Sequence, residues 1–301
     1  MSKCLITVEG GLGKNVMFTA LMPTIKKHYD EVYVASPYDD VFKACSLVDG
    51  AFPFGQANLY TDIALDEDCT VLWREPYSNP RFIKKQCHLF DAWLQELGID
   101  EPNLDYMSMT PILDQIDTAY PQLVKTAEEK VREWGDGKFI LVQFCGGQAP
   151  LGDIKNTQYD DHKEAIKRNY YKGQELIDKI HSAYPDFKII HYALSNEPSY
   201  EHTEKATMPY LVYHLLAKHA FKVVCTDSSL QHLVTGQCSD TTVIWGETRP
   251  EHFGYACNNN ICAEHVRNTQ PYFRPLGVSP AIVKFPTPAE VFELISQQSE
   301  K

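Results

Sequence analysis

Apolar positions in this chain follow two patterns. Short, nearly uninterrupted apolar runs occur at Cys4 to Val8, Glu31 to Ala35, Val71 to Trp73, Phe139 to Phe144, Phe187 to Ala193, Lys222 to Cys225 and Thr242 to Trp245. Runs of this kind predict strands, and the run at Phe139 reads as one buried on both faces. Between them the spacing turns helical: Val16 to His28, Phe82 to Leu97 (apolar at Phe82, Leu89, Trp93 and Leu97), Leu123 to Trp134, Tyr171 to Tyr184 and Pro209 to Ala220. Gly98 supplies a C-terminal stop, and Thr287 with Glu290 three residues later predicts a capping box opening a last helix. Strands alternating with helices give βαβ units and parallel sheets, an α/β chain.

A length of 301 residues fits two domains of about 150 residues each. The charged helix Leu123 to Trp134, broken by Gly135-Asp136-Gly137, marks the join, which we place between 1–125 and 126–301, with packing of the last helix back on the first domain as a further expectation. Residues 45 to 110 are less regular and rich in aromatics. A hydrophobic fraction of 44% and a charged fraction of 23% place the chain among ordinary globular proteins. The net charge of −12 argues against a broad nucleic-acid footprint, which needs a basic face, so DNA is a disfavoured partner. A local basic patch at Arg81, Lys84 and Lys85 runs against that trend. The start shows no charged-then-apolar signal pattern, and no window reaches about 18 apolar residues, so no transmembrane segment and a cytoplasmic location are expected. Nine scattered cysteines predict reduced thiols. Cys257, Cys262 and His265 lack a fourth zinc ligand, so no metal site is expected.

Two stretches carry chemistry. The first is Phe221 to Tyr255: strand, polar turn (Thr226 to Ser229), helix with Leu230, His232 and Leu233, then a second strand and a loop with Gly246, Pro250 and Gly254. The turn falls at the carboxyl end of its strand, where open α/β sheets bind ligands. Its hydroxyls and helix-opening N–H groups suit an anion such as a diphosphate. The second is Gly10-Gly11-Leu12-Gly13-Lys14-Asn15 after the first strand. A P-loop would need Gly at Val8 and Ser or Thr at Asn15, and a G-x-G-x-x-G fingerprint lacks its third glycine. Both nucleotide motifs fail.

Asp227-Ser228-Ser229-Leu230-Gln231-His232-Leu233, followed by Trp245-Gly246-Glu247-Thr248-Arg249-Pro250, resembles the donor signature D-S/T-G-x-x-H-L … F-G-x-T-x-P. That signature belongs to the heptosyltransferase-like glycosyltransferases (glycosyltransferase family 9, after ADP-heptose:lipopolysaccharide heptosyltransferases). Ser229 replaces the usual glycine. Gly10-Gly11-Leu12-Gly13 and Thr19 are similar to the family's N-terminal loop. Ile166-Lys167-Arg168-Asn169-Tyr170 is similar to its K-R/H-W-P element. The resemblance implies a GT-B fold: α/β, two Rossmann-like domains with parallel sheets facing one cleft. The first domain would bind the acceptor and the second the nucleotide sugar.

Site residues follow from the resemblance. Gly146 and Gly147, Lys167 with Arg168, and Ser228, Ser229 and His232 fall to the donor diphosphate. Glu197 falls to the ribose hydroxyls and Asp227 to loop orientation or sugar hydroxyls, with helix N-capping as its structural role. Thr248 and Arg249 face the donor. Gly11, Gly13, Arg74, Glu75 and Tyr77 fall to the acceptor, a glycan, lipid-linked saccharide or other hydroxyl. The main departure is Lys14, which stands where the family has its general-base aspartate. A lysine is protonated near neutral pH and is no base there; it can act as a point charge. Glu9 becomes the first candidate base, with Asp39 and Asp40 behind it. The expected reaction is inverting and metal-independent transfer, with a nucleotide-diphosphate sugar as co-substrate and no other cofactor. A non-catalytic sugar-nucleotide or glycan-binding relative is the alternative that Lys14 raises, and an enzyme of the same fold acting on a nucleotide or DNA acceptor is the other.

Overall fold

The computed structural model describes residues 2–56, 58–101, 103–146, 169–194, 197–246, 248–263 and 285–297. The chain folds into two compact units, residues 1–125 and 126–301.

In the first unit, β1 (Lys3–Thr7), β2 (Glu31–Ala35), β3 (Gly50–Phe52) and β4 (Cys69–Trp73) form one sheet in the order β3-β2-β1-β4. All pairings are parallel. The chain lays β1, β2 and β3 outward in one direction, then returns to put β4 on the other side of β1. The strand order therefore reverses between β1 and β4. Register pairs Thr7 with Trp73, so the segments starting at Val8 and Arg74 leave the sheet side by side at its carboxyl end.

The second unit holds β5 (Phe139–Gln143), β6 (Lys188–Tyr192), β7 (Glu204–Ala206), β8 (Lys222–Thr226), β9 (Thr241–Trp245) and β10 (Asn259–Cys262), in the order β10-β9-β8-β5-β6-β7. These pairings are parallel too. Every residue of β5, β8 and β9 is buried, which explains their continuous apolar reading. Even Lys222 is buried, ion-paired with Asp240. Here the order reverses between β5 and β8. Ile140, Val142, Val224 and Ile244 of the sheet pack with Leu176, Ile177 and Ile180 of helix Gly173–Ala183 and with Val291 and Ile295 of helix Pro288–Gln297. The capping box at the start of that last helix forms: the Thr287 N–H donates to Glu290 Oε2 at 2.6 Å, and the Glu290 N–H to Thr287 Oγ1 at 3.3 Å.

Two expected helices are divided. Leu12–Phe18 is α-helical, Thr19–Leu21 tightens to a 3-10 turn, and Met22–Ile25 resumes with Pro23 in its first turn. Proline offers no N–H and crowds the carbonyl four residues back, so one unbroken helix cannot pass through it. Likewise Pro80–Ile83 and Leu89–Glu96 are separate. Lys85 between them takes a left-handed backbone, φ 57°, and His88 Nδ1 caps the second helix through the Phe90 N–H at 3.2 Å. The apolar positions at Phe82, Leu89, Trp93 and Leu97 are nevertheless all buried. Gly98 ends the stretch with φ 74°. No helix among the described residues is long and apolar enough to cross a membrane.

Candidate active site

At the strand-order reversal of the first unit the glycine loop and the Arg74 segment meet through one ion pair. Lys14 Nζ donates to Glu75 Oε1 and Oε2, each at 2.8 Å. The ammonium also lies 4.8 Å from the centroid of Tyr77 and 5.8 Å from that of Trp93. The Tyr77 N–H donates to Glu75 Oε1 at 3.1 Å. Gly10, with φ 99°, lets the lysine stem run across the loop: a Cβ there would lie 2.9 Å from Lys14 Cδ. Asn15 braces the loop from beneath, donating to the carbonyls of Gly10 and Gly11 and accepting from the Ser36 hydroxyl at 2.6 Å. Lys14, Glu75 and Tyr77 are thus brought together. Glu9, Gly11 and Arg74 are exposed on the same rim, and Gly13 lies in the first turn of Leu12–Phe18. Lys14 is buried with its charge directed onto Glu75.

In the second unit the polar side chains gather where β5, β6, β8 and β9 end. The Leu230 N–H donates to Gln143 Oε1, linking the end of β5 to the helix after β8, and the Gly146 N–H donates to Asn169 Oδ1 at 3.1 Å. Among the described residues, Thr226 Oγ1, Ser228 Oγ, Thr248 Oγ1 and Glu197 Oε2 are buried oxygens without hydrogen-bond partners. Burial pushes the Glu197 carboxyl above its ordinary range, against smaller downward pulls from the Leu194 backbone and Lys205. Asp227 is not the N-cap. Ser228 holds that position in extended backbone, without a side-chain cap bond, and Asp227 Oδ1 accepts from Gln231 Nε2 at 2.6 Å. His232 Nδ1 shares a 2.8 Å hydrogen bond with the buried Tyr255 hydroxyl. Ser229 opens helix Ser229–Val234. Gly147, Lys167 and Arg168 lie outside the described residues.

Sequence reading passed over Gln143, Asn15, Ser36 and Tyr255. Gln143 carried a visible signal, a lone amide closing an apolar strand; the Asn15–Ser36 and His232–Tyr255 bonds join positions 21 and 23 residues apart. All nine cysteines are free thiols. Among the described residues no group of three His, Cys, Asp or Glu side chains is placed to hold a metal ion.

No family model matches the sequence, and no curated protein matches it. Solved structures do match in fold. TibC, an iron-containing dodecameric glycosyltransferase from enterotoxigenic E. coli H10407, aligns with a TM-score of 0.63 at 12% identity over 99% of this chain and 77% of its own. The glycosyl transferase family 9 structure from Veillonella parvula DSM 2008 aligns at 0.57 and 12% identity over 86% and 85%. E. coli ADP-heptose LPS heptosyltransferase II aligns at 0.56 and 13% identity over 99% of both chains. The two parallel sheets and these matches place the chain in the GT-B class of folds. Within that class it has the heptosyltransferase-like fold of glycosyltransferase family 9.

Proposed function

We propose that the chain is a glycosyltransferase moving a sugar from a nucleoside-diphosphate sugar to an acceptor hydroxyl, with inversion and without a metal. The observation carrying this reading is the set of buried oxygens on Thr226, Ser228, Thr248 and Glu197 that lack hydrogen-bond partners among the described residues, all at neighbouring strand ends around the β5–β8 reversal. A buried polar atom without a partner costs about 1–3 kcal/mol. A ligand rich in phosphate and hydroxyl groups supplies both donors and acceptors there, and strand-order reversals are where open α/β sheets bind such ligands. One neighbour in fold is named for an ADP-heptose donor and a lipopolysaccharide acceptor, which makes ADP-sugars the first donors to try.

In this reading the second unit takes the donor: Gly146, Gly147, Lys167, Arg168, Ser228, Ser229 and His232 serve the diphosphate, Glu197 the ribose, and Asp227 and Thr248 the sugar end. Neutralising the leaving diphosphate is the largest electrostatic task of the reaction. The first unit takes a glycan, a lipid-linked saccharide or another hydroxyl acceptor, and the reaction runs in the cytoplasm.

Calorimetric titration with ADP, UDP, GDP and their hexose conjugates tests this. One nucleotide should bind, and Ser228→Ala and Lys167→Ala should each weaken it about tenfold, the size of one lost phosphate contact of about 1.4 kcal/mol. If no nucleotide binds, the reading fails and only the shared fold stands.

A further inference from the structure

We infer that Glu75 is the general base of this transfer, accepting the acceptor's hydroxyl proton, and that the buried Lys14 positions it. The inference rests on the glycosyltransferase reading above and adds the residue that performs its central step.

Four observations carry it. First, Glu75 sits at the β1–β4 reversal, the point of the first unit where an open parallel sheet offers a ligand crevice. Second, its backbone is fixed: Glu75 caps the 3-10 turn Pro76–Ser78, and its carbonyl accepts from the Ser78 N–H at 3.0 Å and the Ser78 hydroxyl at 2.7 Å. Third, the ion pair is asymmetric in burial. The Lys14 side chain is 5% exposed and that of Glu75 45%, so the cation lies beneath and the carboxylate faces outward. A ligand arriving there meets the acid. Fourth, the two carboxylate oxygens differ. Oε1 accepts from both Lys14 and the Tyr77 N–H, whereas among the described residues Oε2 accepts from Lys14 alone, leaving Oε2 room for a proton.

The other carboxylates near the rim are placed differently. Glu9 is exposed and its side chain makes no hydrogen bond or ion pair among the described residues. Asp39 is engaged by Lys43 within one helix. Asp40 accepts from the Val41 N–H at 3.1 Å. A base must be held within reach of the proton it takes, and geometry ranks before basicity in choosing it.

The step balances as follows. The acceptor O–H proton passes to Glu75 Oε2, and the freed oxygen pair forms the bond to the anomeric carbon. The anomeric carbon–oxygen bond to phosphate breaks, its electron pair leaving on the nucleoside diphosphate. Lys14 takes no part in the proton transfer.

The test measures nucleoside diphosphate release from ADP-glucose, ADP-mannose, UDP-glucose and GDP-mannose by the full chain, with water and with soluble oligosaccharides as acceptors. Donor affinity is measured in parallel. Glu75→Gln should bind donor as the wild type does and release product about 100- to 10,000-fold more slowly, the usual range for a lost general base. Lys14→Met should also lower the rate at unchanged donor affinity. Lys14→Met/Glu75→Gln should be no slower than Glu75→Gln, since the lysine acts only through the glutamate. If Glu75→Gln unfolds because Lys14 loses its partner, that double variant restores the fold, and a wild-type rate in it overturns the assignment. So does full activity in Glu75→Gln, or an equal loss found in Glu9→Gln instead. A wild type that binds nucleotide sugar and releases nothing refutes the base while leaving the donor site standing. A wild type that binds no nucleotide removes the glycosyltransferase reading itself, and Glu75's role with it.

Discussion

Gly246 lies against the ring of Phe285 so closely that a Cβ built on it would fall 2.4 Å from Cζ. Phe285 in turn meets Tyr170 edge to face, 5.6 Å between centroids, and the Tyr170 hydroxyl donates to the Pro286 carbonyl at 3.1 Å. The glycine of the Trp245-Gly246 motif therefore has a packing reason to be there.

From that contact, Gly246→Ala should destabilise the protein by about 1–3 kcal/mol, the usual cost of overpacking a filled core. Adding Phe285→Leu should recover part of the loss, because the two sites share one volume. Urea denaturation of the two single variants and the double variant measures both. An alanine variant within about 0.5 kcal/mol of wild type would mean that the ring moves aside freely.

Gly10→Ala combines two penalties. The backbone at φ 99° disfavours any side chain, roughly 1–2 kcal/mol for a left-handed residue, and the new methyl would press on Lys14 Cδ. Both stability and product release should fall, while nucleotide affinity, a property of the second unit in our reading, stays as it was. Thermal melts beside calorimetry separate the two effects.

His191 should make the protein acid-sensitive. It is fully buried in β6, with both ring nitrogens lacking hydrogen-bond partners among the described residues. Burial first, and the charge of Lys205 second, push it down to about 4 from 6.5. Between those values the unfolded chain binds more protons than the folded one, so stability falls as pH drops from 6.5 towards 4. The loss should reach about 2 kcal/mol by pH 5, at 1.36 kcal/mol per pH unit. His191→Leu should flatten that part of the stability–pH curve, and chemical denaturation at pH 8, 6 and 5 reads it directly.

Glu197 predicts an exchange of stability for binding. Its buried carboxyl is pushed up, so holding it ionised opposes folding increasingly as pH rises through that raised value. Glu197→Gln should therefore raise Tm at pH 8. It should also weaken nucleotide binding by about tenfold, the loss of one charge-assisted hydrogen bond of about 1.5 kcal/mol. A rise in Tm with unchanged affinity would remove Glu197 from the ribose site.

What could be read in advance follows from which interactions are local. The strand at Phe139 was legible because a strand buried on both faces is a continuous apolar run. By contrast Gly50–Phe52, Glu204–Ala206 and Asn259–Cys262 are short and mostly half-buried, at or next to a sheet edge, and nothing in their pattern separates them from loop. The apolar spacing from Phe82 to Leu97 reported the buried face correctly but hid the break, since that depends on the His88 cap and the Lys85 backbone. Lys14 and Glu75 each stood out as residues. Their pairing did not, because it joins positions 61 residues apart and exists only once β4 has crossed to its place beside β1.

The second unit's core also has a consequence during synthesis on the ribosome. Val291 and Ile295 pack with Leu176, Ile177 and Ile180, and Pro286 holds Tyr170. Helix Gly173–Ala183 is thus translated more than a hundred residues before the helix that covers it. The first unit can close over residues 1–125 while translation continues, but the β5 to β9 layer must wait with apolar surface uncovered until residues 285–297 emerge. That interval, in which chaperones or aggregation compete for the chain, belongs to the second unit alone.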